Sequence, residues 1–113
     1  MARLSTHVLD LVSGKPAANL VIELYQGQKL IQRTQTNSDG RTDEPLLSGD
    51  SIPTGHFKII FQAGDYLKAQ GYPLSDPPFL DRIPIDFAIA DAKGHYHVPL
   101  LLSPHGYSTY RGS

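Results

Sequence analysis

The chain of 113 residues contains no cysteine. That absence excludes disulfides, a thiol nucleophile and zinc-thiolate centres, yet leaves the compartment open, because many secreted domains also lack the residue. No apolar run approaches the roughly 18 residues that a membrane span needs. The stretch from Met1 to His7 has neither the apolar segment nor the cleavage site of a secretory leader, and the last residues do not form a peroxisomal address. A cytoplasmic location is the default expectation. Charge of one sign is missing too: ten Lys and Arg face eleven Asp and Glu. Nothing therefore implies a nucleic-acid or membrane-surface partner. Helical periodicity is scarce as well. With 40% hydrophobic and 19% charged residues, the composition is that of a folded domain, and residues 1–113 are expected to form one domain around one modest core.

Strand signals recur instead. Leu4 to Leu11 alternates as a first strand, and the cluster Ser13-Gly14-Lys15-Pro16 turns the chain. Leu20–Tyr25 and Lys29–Thr36 flank Gln26-Gly27-Gln28 and read as a hairpin. Asn37 to Gly55 is polar, a long loop with room for a short edge strand, and His56–Phe61 is a further strand. Gly64–Gly71 is the one good helix candidate, about two turns long and stopped by a glycine. Arg82–Ile89 is a strand whose internal Pro84 predicts an edge or a bulge. The final segment, His95–Pro104 followed by Gly106–Thr109, reads as a closing hairpin that carries a polar tail, Tyr110-Arg111-Gly112-Ser113. Seven or eight short strands in this length predict an all-β, two-sheet sandwich with one short helix.

Histidine is unevenly placed, at positions 7, 56, 95, 97 and 105. His95 and His97 are two apart on a strand and so share a face, which Pro99 and Leu101 continue. Such a pair can bind a metal only with a further ligand, which His7 would have to supply, and no acidic residue stands at a ligand spacing. The bland alternative for each is a solvated or hydrogen-bonded strand histidine. Asp39-Gly40-Arg41 reads as a turn, with Asp39 capping it and Gly40 supplying a positive φ. Arg41 is then either an ordinary exposed side chain or a planar fork for carbonyls and developing negative charge. Tyr107 and Tyr110 are equally consistent with aromatics packed across a sheet.

Taken together, Ser5-Thr6-His7-Val8-Leu9-Asp10, Gly14-Lys15-Pro16-Ala17 and Thr36-Asn37-Ser38-Asp39-Gly40-Arg41 resemble the motifs of the transthyretin-like family. His95–Pro104 and the terminal Tyr-Arg-Gly-Ser resemble its enzymatic branch, and the likeness runs from about Leu4 to Ser113. Two positions depart from the common pattern, His56 and His105, where an aromatic is more usual. Neither touches a motif.

The resemblance implies a sandwich with one short helix, assembled as a homotetramer around a channel with sites at the subunit interfaces. It implies hydrolysis of 5-hydroxyisourate, the product of urate oxidation, to 2-oxo-4-hydroxy-4-carboxy-5-ureidoimidazoline. His7, Arg41 and His97 fall on the family's catalytic positions. Tyr110 and Ser113 fall on its substrate-contacting tail, with the Arg111 charge beside them at the channel mouth and a carboxylate on Ser113 as the last residue. No cofactor or metal is implied. Ring opening of a cyclic amide needs an activated water and a stabilised oxyanion or leaving nitrogen. Either His7 or His97 can take the water proton near neutral pH, and the sequence leaves both open. Two other readings remain at this point: a carrier of the same fold, which would lack the channel histidines and the tail, and a non-catalytic interaction module, which would be monomeric.

Overall fold

Alternation along the first strand decides how the molecule is layered. In β1 (Ala2–Asp10) the side chains of Ala2, Leu4, Thr6, Val8 and Asp10 are buried, while Arg3, Ser5, His7 and Leu9 look the other way. The computed structural model describes residues 1–112. After β1 come β2 (Lys15–Pro16), β3 (Val21–Gln26), β4 (Lys29–Gln35), β5 (Leu47–Gly49) and β6 (Gly55–Gln62). The helix α1 (Ala63–Ala69) follows, then β7 (Arg82–Ile89), β8 (His95–Ser103) and β9 (Gly106–Thr109). The strands make two sheets: β2-β1-β8-β9 with β5 also on β1, and β4-β3-β6-β7. This is the two-sheet sandwich with one short helix that the sequence predicts. The added strand is β2, two residues within the expected turn and too short for any periodicity to reveal.

Between the sheets lie Leu4, Val8, Leu100 and Leu102 from one side and Ile22, Leu24, Ile59, Phe61, Ile83 and Ile89 from the other, all essentially inaccessible. Each such side chain contributes roughly 1.5–3 kcal/mol by leaving water. Pro84 does sit on an edge strand, since among the described residues β7 pairs only with β6, where the lost N–H costs no ladder bond.

The pairing that matters most for the site joins residues far apart in sequence. β1 lies parallel to β8, with Ser5 opposite His97, His7 opposite Pro99 and Leu9 opposite Leu101. Both inner faces feed the core, so both outer faces form one continuous surface.

The tail departs from the expected hairpin. β9 ends at Thr109, and Tyr110 and Arg111 leave the ladder, but Gly112 returns to bridge His97 with no shift of register. The interruption has a simple cause. Pro99, opposite Tyr110 in this register, has no N–H to donate, and its carbonyl is taken by the Thr109 hydroxyl at 2.8 Å.

Candidate functional site

On the outer face of the β1–β8 pair, His97 is half-buried, and its Nδ1 lies 2.8 Å from the hydroxyl of Ser5. Ser5 comes to this place because β1 and β8 are in register at these two residues. When Nδ1 donates to Ser5, the Nε2 lone pair is the acceptor left over. Burial holds the His97 imidazole below its ordinary 6.5, and the positive charges of Arg41, His7 and Arg3 push it further down, against a hydrogen bond to Ser5. The ring is therefore neutral at neutral pH.

Arg41 is delivered to the same face by a tight turn. Asn37 organises it: its side-chain oxygen accepts the N–H groups of Asp39 at 2.9 Å and Arg41 at 3.3 Å, and its own N–H donates to the Arg41 carbonyl at 2.7 Å. The capping residue is thus Asn37 and not Asp39, because an Asx turn places its side chain over the N–H two residues on. Gly40 has φ of 74°. A Cβ there would meet the Val8 carbonyl oxygen at 2.5 Å and the His7 ring at 3.2 Å. Only glycine lets the turn press against β1, where the Val8 N–H donates to the Gly40 carbonyl at 2.9 Å and Arg41 forms a backbone bridge with His7. Among the described residues, neither the Arg41 guanidinium nor the His7 ring has a side-chain hydrogen-bond partner.

Two hollows flank these groups. One of about 160 Å³ is bordered by Arg3, Ser5 and Arg41. The other, about 300 Å³, lies between β7 and the tail and is bordered by Tyr96, His97, Tyr110 and Arg111. His97 and its partner Ser5 link the two. Tyr110 is 59% exposed and belongs to the second hollow, away from Arg41. Ser113 lies outside the described residues.

Arg111 borders the same hollow as Tyr110, and its guanidinium carbon sits 4.2 Å from the centre of the Tyr96 ring. His95 shares the face of His97 and meets the Met1 carbonyl. Among the described residues, no group of three or more His, Cys, Asp or Glu is placed to hold a metal ion. His56 and His105 are exposed, the latter beside Phe79.

Sequence reasoning missed Ser5 and Arg3. Period-2 spacing from His7 puts both on its face, so the signal was present; what it lacked was the cross-strand partner. The arrangement as a whole offers a neutral imidazole with an oriented ring, a second imidazole, and an uncommitted guanidinium at a shallow hollow. It suits proton transfer from water with charge stabilisation beside it.

Residues 4–112 match the HIUase/Transthyretin family. The chain is 55% identical over 115 residues to 5-hydroxyisourate hydrolase 2 of Rhizobium meliloti (strain 1021), covering 98% of this chain and 96% of that one. Among solved structures, the 5-hydroxyisourate hydrolase of Klebsiella pneumoniae superposes with a TM-score of 0.86 at 32% identity, over 100% of both chains. An (S)-allantoin synthase superposes with a TM-score of 0.92 at 40% identity, over 99% of this chain but 44% of its own length.

Proposed function

The chain belongs to the HIUase/transthyretin family, and from that premise we propose that it opens 5-hydroxyisourate with water at the face built by His7, Arg41 and His97. It is a hydrolase of urate degradation acting on a small molecule. The observation that carries the residue assignment is the pairing of a neutral, oriented His97 with an uncommitted Arg41 across one strand pair. His97 takes the proton from water through Nε2 as the oxygen attacks the ring carbonyl. Arg41 holds the oxyanion that develops. His7 gives a proton to the departing ring nitrogen, so the amide C–N bond breaks and a carboxylate and an N–H remain. Tyr110 and Ser113 border the bicycle from the tail. A positioned base contributes about 10²–10⁴-fold, and a cationic oxyanion partner about 10²–10³-fold.

The working unit in this reading is a cytoplasmic homotetramer. Its support is physical: the hollows of one chain are too shallow to exclude water, and Leu9 and Leu101 flank the histidines on an outer face that a second copy would cover. The edges β7 and β9 are unpaired on one side, which offers closed symmetric contacts.

The test is turnover of freshly made 5-hydroxyisourate, followed by absorbance against its spontaneous decay, with light scattering on the same sample. Deleting Tyr110–Ser113 should leave a folded tetramer without activity. A folded, tetrameric and fully active truncated chain would remove the tail from the site. A monomer at micromolar concentration would remove the shared-site arrangement.

A further inference from the structure

We infer that Arg111 seats the tail against the His97 ring, acting as a positioning residue through its contacts with Tyr96 and the His95 carbonyl; this rests on the site proposed above. Alternation is the first argument. The tail keeps the β8–β9 register through to the Gly112–His97 bridge. Tyr110 and Gly112 thus share the face of Pro99 and His97, and Arg111 falls on the face of Tyr96 and Val98. The contacts agree. The guanidinium lies over the Tyr96 ring at 4.2 Å, and its Nη2 donates to the His95 carbonyl at 3.2 Å. The platform beneath it is rigid, because the Tyr96 hydroxyl accepts the N–H groups of Ala90 at 3.1 Å and Asp91 at 2.9 Å.

A latch is needed because the ladder is interrupted at Pro99 and resumes only at the Gly112–His97 bridge, where the Gly112 N–H donates to the His97 carbonyl at 2.8 Å, the last such contact among the described residues. At Gly112 the backbone runs close against the imidazole. A Cβ at position 112 would come within 2.6 Å of His97 Cδ2 and 3.2 Å of Cγ. Glycine is there so that backbone can cover one side of the ring. Covering the ring keeps water off it and limits its rotation, and Arg111 keeps the cover in place. An arginine stacked on an aromatic and hydrogen-bonded to a carbonyl shifts such a docking equilibrium by about tenfold.

The experiment uses Arg111→Met and Gly112→Ala in the full chain, and reads two quantities. One is the titration of the His97 imidazole by NMR without substrate. The other is kcat and KM for 5-hydroxyisourate. In both variants the His97 midpoint should move up toward the ordinary imidazole value, and kcat should fall about tenfold with KM little changed. Gly112→Ala keeps the arginine, so the same upward movement there shows that ring cover, not the loss of a nearby cation, is responsible. A fall in turnover carried by KM, with the His97 titration unmoved in Arg111→Met, would overturn the inference and make Arg111 a substrate contact. Unchanged titration together with unchanged turnover would overturn it as well. The titration needs no substrate, so its outcome stands apart from the assignment of the reaction, which inactivity of the unaltered chain would refute.

Discussion

At the end of β1 the Asp10 carboxylate is wholly buried and accepts four hydrogen bonds: from the hydroxyls of Tyr66 at 2.7 Å and Tyr72 at 2.6 Å, and from the N–H groups of Val12 at 2.8 Å and Ser13 at 3.3 Å. Three residues earlier, on the opposite face of the same strand, His7 stands beside Arg41 and two strand positions from the Ser5–His97 pair. The two clusters contain similar chemistry and differ in what is left over. Burial pushes the Asp10 carboxyl up, but the bonds from Tyr72, Tyr66, Ser13 and Val12 outweigh it and hold the group below its ordinary 3.8. The same contact, with burial, raises Tyr66, and the bond to Asp10 raises Tyr72. Every polar group there is consumed in tying α1 and the following loop to β1. At His97, burial and neighbouring cations favour the neutral base, and among the described residues one ring nitrogen, a second imidazole and a guanidinium remain uncommitted. A satisfied cluster stabilises the fold; an unsatisfied one at a solvent hollow is available for chemistry.

The contrast is broken most directly by substituting one residue from each cluster. His97→Ala and His7→Ala should each lower turnover by about 10²–10⁴-fold while the thermal midpoint and assembly stay as they are. Either variant turning over at the unaltered rate would return that histidine to the ordinary surface. Asp10→Ala should do the reverse. Two tyrosine donors lose a charged acceptor, so chemical denaturation should report a loss of about 3 kcal/mol, with activity per folded molecule retained. If the activity of the folded fraction falls along with stability, the two clusters are coupled and the division fails.

A finer probe is Arg41→Lys, which keeps the charge and removes the planar fork. Turnover should fall by at least about tenfold, a lost charge-assisted contact being worth about 1.5–3 kcal/mol, and full activity would leave Arg41 a turn residue. The smallest effect is in pH. His97 works deprotonated, so kcat/KM should fall as pH drops through a midpoint below 6.5. Asp10 is depressed in the folded chain, so its contribution is present above 3.8 and is lost as pH falls through its lower folded value. Activity should thus disappear on the acid side before the fold does. Coincident loss of both, seen by parallel pH–rate and circular dichroism profiles, would merge the two regions.

The elements legible in the sequence are those with a local cause. Arg82–Ile89 is a strand at the expected bounds because its alternation is unbroken, and of the edge or bulge that Pro84 predicts, the sheet order shows the edge. The hairpin around Gly27 and the Gly40 turn follow from positive φ. The helix is found one residue earlier than expected, beginning at Ala63 directly after β6 with no side-chain cap to mark it. The turn before Arg41 was legible as a turn but not in its chemistry, since Asn37 and Asp39 are both competent caps and only the closed loop decides between them.

By itself the sequence determined the strands other than β2, the sandwich, the face that His95 and His97 share, and membership in a family whose motifs it carries. These depend on alternation, on glycine and proline geometry, and on residue order, all of which act along the chain. The tertiary structure alone decided that Ser5 meets His97 across 92 residues of sequence, that Asp10 turns inward to two tyrosines, and that Arg111 lies over Tyr96. The reason is register. Alternation says which side of its own strand a residue occupies, but the partner opposite is set only when the whole core closes and one alignment of β1, β8 and the tail buries both inner faces at once.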